Sequence, residues 1–346
     1  MPTAVAAPMR CALDVEVLRG DVVESRHRVH AAVTDADGQL IAHAGDASLA
    51  THWRSCAKPL QVFEFVASGG LDAAGWGDEE LALACASHGG EPEHVAVAHR
   101  MLASLGLTEE ALACGPHVPL AERGARLLKA QGVRATRIHN NCSGKHAAMM
   151  ARARQQGWPT AGYHRLEHAV QQENHERVAR WTDLPGPAVP TAVDGCGVPV
   201  FVLPLTAMAM AYARLVSGSP TPADPRARAA AERIVRAMHA HAFLVGGTGR
   251  FDTVLAEVTD GAILAKLGAE GVHTLAWPER GWGMAVKVED GATRAQYPAV
   301  LALLQQLGAL PAALPDPLAA FARVPVANTR DEVVGEVHVG RTDGRA

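Results

Sequence analysis

The chain has 346 residues, 48% of them hydrophobic and 20% charged, which suits one large domain or two modest ones and is too apolar for a disordered chain. A formal charge of −4 without any Lys/Arg-rich run excludes a nucleic-acid-binding face. The first residues show no secretory signal pattern, and the apolar run 201–216 is interrupted by Pro204 and Arg214, so a soluble cytoplasmic protein with no membrane segment is expected.

In chain order, residues 13–46 alternate apolar and polar and break at Arg19-Gly20-Asp21 and at Asp35–Gly38, predicting three antiparallel strands. After Trp53 the spacing turns helical. A helix is expected from a Ser55 cap to Gly69-Gly70, followed by helices over 77–90, 91–107, 144–157, 164–182 and 221–241. Near Phe251 the period returns to two, predicting strands over 252–261, 262–278 and 281–291, a closing helix over 294–310 and a last strand over 331–340. The pattern predicts a single α/β (α+β) catalytic domain. An antiparallel sheet comes from about 11–52 and 250–340, with a helical subdomain at about 53–249 inserted between its halves.

Only five of the 32 Lys and Arg residues are lysine: Lys58, Lys129, Lys145, Lys266 and Lys287. Arginine cannot lose its proton in a protein, so a lysine that persists in an arginine-rich chain is a candidate for chemistry that needs a neutral amine. Three of the five fall inside motifs. Ser55-Cys-Ala-Lys58 puts a serine and a lysine three apart at a helix start, where the helix dipole and burial both disfavour the ammonium and favour a neutral base beside a nucleophile. Ser87 ends a short helix before Gly89-Gly90, and Lys266 sits on a late strand with a glycine two residues on. A Ser-x-x-Lys, then a loop serine, then a strand Lys-x-Gly is the motif order of penicillin-recognising serine hydrolases.

Six cysteines without a signal peptide predict reduced thiols. Cys142 and Cys196 are flanked by glycines, and thiolate with imidazole is a usual zinc set, so residue chemistry alone suggests zinc on these two cysteines with His139 or His146. Two buried cysteines is the competing reading. Arg54 is suited to bidentate binding of a carboxylate or to an ordinary ion pair. Arg250-Phe-Asp252 is expected to buttress the site from a strand start.

With these motifs in place, the chain resembles the zinc-containing L-asparaginases of the Rhizobium etli type. The resemblance spans nearly the whole chain and rests on Trp53–Pro59, Cys85–Gly90, Asn140–His146, Asp194–Pro199, Gly247–Thr253 and Lys266–Gly271. It implies a serine β-lactamase-like fold, a homodimer, and hydrolysis of asparagine to aspartate and ammonia. It implies two Ser–Lys tandems, Ser55 with Lys58 and Ser87 with Lys266, with Ser55 as nucleophile. It further implies zinc on Cys142, Lys145 and Cys196 with Asp194 beside it, and leaves Arg54, Asp194 and Arg250 as substrate-binding candidates. The alternatives are another Ser–Lys hydrolase, such as a glutaminase or a penicillin-binding enzyme, and a non-catalytic zinc-stabilised binding protein.

Overall fold

A computed structural model describes residues 7–218 and 224–340. The amino-terminal strands are β1 (Met9–Arg10), β2 (Val15–Arg19), β3 (Val22–His27), β4 (Val29–Thr34), β5 (Leu40–Ala44) and β6 (Ala50–His52). A 3₁₀ turn over Arg54–Ala57 leads into α1 (Lys58–Ala67), then α2 (Gly70–Ala73), α3 (Asp78–Cys85), α4 (Pro92–Ser104), α5 (Glu122–Gln131), α6 (Ser143–Gln155) and α7 (Ala169–Trp181). After β7 (Thr191–Val193) and β8 (Pro199–Pro204) come α8 (Leu205–Ser217), α9 (Pro225–Ala240), α10 (Ala242–Val245) and α11 (Phe251–Val258). The chain ends with β9 (Leu264–Leu267), β10 (Val272–Trp277), β11 (Trp282–Val288), α12 (Thr293–Gln306), α13 (Asp316–Ala322), β12 (Val324–Ala327) and β13 (Val333–Val339).

The expected mixed fold, with antiparallel sheet from both chain ends and helices between them, is observed, but the two ends build two sheets rather than one. Six strands run in the order β1-β5-β4-β11-β10-β9, antiparallel throughout except for β1 beside β5. A second sheet runs β12-β13-β2-β3. The chain crosses from one to the other at Arg28, between β3 and β4. All six residues of β4 are buried, whereas β3 alternates exposed and half-buried, as strands covered on two faces and on one face should.

The period of two on β4 sorts its side chains between two cores. Ala32 joins Ala276 and Ala285 beneath the helical region, while Ala31 and Val33 join Leu275, Met284 and Val286 under α11, α12 and α13. α8 packs across β4, β10 and β11. A β-carbon at Gly283 on β11 would lie 1.9 Å from the Ala209 carbonyl oxygen of α8, so only glycine permits this approach.

Three expectations need correction. Residues 251–258 form α11, not a strand: Phe251, Val254, Leu255 and Val258 follow the i, i+3, i+4, i+7 stripe, which β-branched Thr253, Val254 and Val258 mask. Ser55 does not cap α1, because the 3₁₀ turn intervenes and α1 begins at Lys58. Residues 13–46 hold four strands, β2 to β5, rather than three, and the mostly helical middle also carries β7 and β8, which join β6 in a small antiparallel sheet. The helix expected over 221–241 is α9, capped by the Asp224 carboxylate, and residues 221–223 lie outside the described residues.

Candidate active site

The 3₁₀ turn that carries Ser55 is held from several sides. Trp53 donates its backbone N–H to the Phe201 carbonyl at 2.8 Å and its indole N–H to Thr274 Oγ1 at 2.9 Å. Tyr212 donates to the Cys56 carbonyl at 2.8 Å, and the Cys56 thiol to the Lys266 carbonyl at 3.0 Å. Arg54 opens the turn with φ of +52°, a left-handed conformation that costs a non-glycine residue about 1–2 kcal/mol. Strain of this kind persists where surrounding bonds over-determine the backbone.

Ser87 is the meeting point. Lys58, fully buried at the start of α1, places Nζ 3.1 Å from Ser87 Oγ. Lys266, fully buried on β9, places Nζ 2.8 Å from the same oxygen. Lys58 Nζ also donates to the carbonyls of Ala86 and Asn141, so its three N–H directions find three acceptors, the surroundings of an ammonium. Lys266 Nζ has Ser87 Oγ and its neighbour Leu267 O, and burial together with the nearby Lys58 charge pushes its amine down to about 8. Ser55 Oγ has no hydrogen-bond partner among the described residues and lines the cleft above. Lys58 is thus engaged with Ser87 rather than with Ser55, and the two expected tandems share one hydroxyl.

The cleft has a volume of about 370 Å³, and Ser55, Ser87, Asp194, Arg250, Gln296 and Tyr297 are among its walls. Arg54 Nε donates to Asp194 Oδ1 at 2.6 Å, both side chains largely buried. Burial alone raises the proton affinity of Asp194, but Lys145 and Arg54 outweigh it and hold the carboxyl low. Arg250 contacts the Leu120 carbonyl only at 3.4 Å and stands at the rim, at the N-terminus of α11 rather than at a strand start.

Cys142, Lys145 and Cys196 converge on the neighbouring wall, all buried, with Lys145 Nζ 3.1 Å from Cys196 Sγ. The hydrogen bond from Cys142 and the charge of Lys145 lower the proton affinity of the Cys196 thiol, while the Cys142 thiol is raised. Burial opposes the charge on Lys145, yet the two thiols and Asp194 keep it protonated. Among the described residues no three His, Cys, Asp or Glu side chains are grouped to hold a metal, so a metal here depends on Lys145 as the third donor. Two thiols, one already biased to thiolate, and the Lys145 amine, which must lose its proton as a metal binds, make a sulfur–nitrogen donor set that fits zinc. The histidine alternatives are engaged through Nδ1: His146 Nδ1 bonds the Tyr163 hydroxyl at 2.6 Å, with its Nε2 buried and unpartnered among the described residues, and His139 Nδ1 accepts the Thr136 N–H.

The chain belongs to the L-asparaginase II family. The family pattern matches residues 15–339, from the first long strand to the last, and makes the chain an amidohydrolase by descent. No curated protein matches it by sequence. Among solved structures it is similar to Mglu in its native form, at 17% identity and a TM-score of 0.45, covering 87% of this chain and 69% of that one. It is also similar to a Bacillus glutaminase in 4.3 M NaCl, at 12% identity and a TM-score of 0.40, covering 81% and 91%. A β-lactamase from Mycobacterium bovis aligns at 14% identity and a TM-score of 0.38, covering 81% and 94%.

Several residues around the site escaped sequence reasoning. Glu91, fully buried, accepts the Thr248 N–H at 2.8 Å and hydroxyl at 2.7 Å, and Arg123 Nη1 at 2.8 Å, so it fastens the Ser87 loop to the Gly246–Arg250 loop. A carboxylate directly after Gly89-Gly90 and before Pro92 was its available signal. His88 Nδ1 accepts the Gly90 N–H, so its Nε2–H donates to Ser143 Oγ at 2.9 Å and fixes the start of α6 beside Cys142.

Proposed function

We propose that this protein is an L-asparaginase that converts L-asparagine to L-aspartate and ammonia by acyl transfer to a serine. The observation that carries the proposal is the sharing of Ser87 Oγ by two buried lysine amines at the base of a cleft walled by the Arg54–Asp194 pair.

The Ser55 hydroxyl, unpartnered and facing the cleft, attacks the side-chain amide carbon, and Lys58 takes its proton as it passes one of its own to Ser87. Ser87 relays that proton to Lys266, whose lowered proton affinity makes it the amine that is neutral at and above about pH 8. The protonated Lys266 then returns the proton through Ser87 to the leaving ammonia. Backbone N–H groups around Ser55 stabilise the tetrahedral oxyanion, and water releases aspartate. Arg54 and Asp194 offer one positive and one negative group, matching the α-carboxylate and α-ammonium of an amino acid. Cys142, Lys145 and Cys196 would hold zinc, which with two thiolate ligands orients rather than generates hydroxide. A homodimer and a cytoplasmic setting belong to the same reading and rest on the family resemblance and the sequence.

A second reading makes Ser87 the nucleophile, favoured by its direct hydrogen bonds to both lysines. Mass spectrometry of enzyme quenched during turnover separates the two. An acyl group on Ser55, lost in Ser55→Ala and kept in Ser87→Ala, supports the first, and an acyl group on Ser87 overturns it. Ammonia release from asparagine, glutamine and a β-lactam, measured in parallel, tests the substrate: faster hydrolysis of glutamine or the β-lactam would sink the asparaginase assignment.

A further inference from the structure

β9 is the edge strand of the six-stranded sheet, so its outward N–H groups have no strand to pair with. One of them, the N–H of Leu267, donates to Asp252 Oδ2 at 2.7 Å. Asp252 projects from the first turn of α11 and is almost wholly buried. Its other oxygen lies 2.9 Å from His273 Nε2 on β10, without the alignment of a good hydrogen bond. His273 is fully buried, and Gln296 Nε2 stands 3.3 Å from its Nδ1 while donating to the Val272 carbonyl at 2.7 Å. A chain of buried polar groups therefore runs from Gln296, at the cleft wall, through His273 and Asp252 to the backbone beside Lys266.

We propose that Asp252, held by His273, is a positioning residue that stands in for a missing strand neighbour of β9, seats Lys266 on Ser87, and stabilises the protonated form of Lys266. The proposal rests on the Ser–Lys reading of the site. Burying a carboxylate is costly unless it is paired and hydrogen-bonded. Burial raises the proton affinity of Asp252, but His273, Lys266 and the Leu267 N–H together hold it down to about 2, so it is anionic at every working pH. The groups that act on Lys266 come from all sides. Lys58 of α1 opposes its charge, Asp252 of α11 favours it, and the thiols of Cys56 in the 3₁₀ turn, Cys85 of α3 and Cys142 before α6 are protonated, raised in each case chiefly by burial or by a partnering thiol. His239 of α9 lines the small gap on the far side of Asp252. Asp252 supplies a carboxylate that favours the charge on Lys266.

The chain has five lysines, so protein labelled with ¹³Cε-lysine gives a spectrum in which Lys266 is identified by its absence from Lys266→Met. Asp252→Asn keeps an acceptor for Leu267 but removes the charge, and should lower the titration midpoint of Lys266 by about one pH unit. Asp252→Ala removes both, and should lower kcat on the order of tenfold to a hundredfold with KM little changed, while the Leu267 amide loses its protection from hydrogen exchange. If neither variant folds, the wild type still decides: its Leu267 amide should exchange as slowly as the ladder amides of β10. A fast Leu267 amide, or an unmoved Lys266 midpoint in Asp252→Asn, overturns the proposal. Absence of ammonia release from asparagine by the wild type overturns the asparaginase reading instead, and leaves the titration and exchange results standing on their own.

Discussion

Lys266 and Lys58 point their amines at a single oxygen, Ser87 Oγ, at 2.8 and 3.1 Å. A serine hydroxyl has one proton to give, so only one of the two amines can receive it while the other donates. The three acceptors around Lys58 suit the charged partner, and the depressed proton affinity of Lys266 suits the neutral one.

That division sets a pH dependence. With Lys266 held near 8, below its ordinary value, the neutral amine dominates above that pH and is lost as protons are added. Activity that needs the neutral amine should rise with pH through about 8 and fall about tenfold for each unit below it. A kcat/KM profile for asparagine from pH 5.5 to 10 checks this, and a profile flat between 6 and 9 contradicts it.

Lys58→Arg should cost nearly as much as Ser55→Ala, on the order of a thousandfold or more in kcat. Arginine keeps the charge but cannot cycle a proton, and its planar head does not fit a fully buried site shaped for an ammonium with three acceptors. Circular dichroism of the same samples separates lost chemistry from lost fold.

Glu91→Ala should destabilise the fold by about 1–3 kcal/mol, because it leaves the Thr248 N–H and hydroxyl without their acceptor beside an emptied buried position, while Arg123 keeps Glu93. The Ser87 loop should loosen with it. Chemical denaturation reads the first effect and kcat the second. A midpoint within experimental error of wild type would show that this junction contributes nothing to stability.

Zinc added to metal-free protein should raise Tm, by the equivalent of about 2.7 kcal/mol at a hundred times Kd, and the rise should vanish in Cys142→Ser and Cys196→Ser. Lys145→Arg should also abolish it, since arginine offers no lone pair. If chelated, metal-free protein kept full kcat and KM, zinc would have no part in orienting the substrate.

The sequence was most legible where local chemistry is loud. Ser55, Lys58, Ser87 and Lys266 stood out because lysine is scarce and glycines bracket the turns, and Ser87 and the two lysines do meet. Which lysine faces which serine was hidden, because Ser87 reaches Lys58 and Lys266 only after α3, α1 and β9 have packed. Residues 251–258 misled for a different reason: β-branched side chains favour strands in isolation, and burial of one helical stripe against α13 and β9 overrode that preference. His273, a single histidine in an apolar strand, gave no sign of its part, since its partners Asp252 and Gln296 lie 21 residues before it and 23 after it.

The pairing of β4 with β11 joins residues 29–34 to residues 283–288. On the ribosome this means that β4, whose two faces are both destined for the interior, emerges roughly 250 residues before the strand that completes it. At about 5–20 residues per second the wait is on the order of tens of seconds. Throughout it, an apolar strand paired with β5 on one edge has its other edge open to other chains. Yield in a heterologous host should therefore depend on chaperone supply and on slow translation past residue 288 more than on the stability of the finished enzyme.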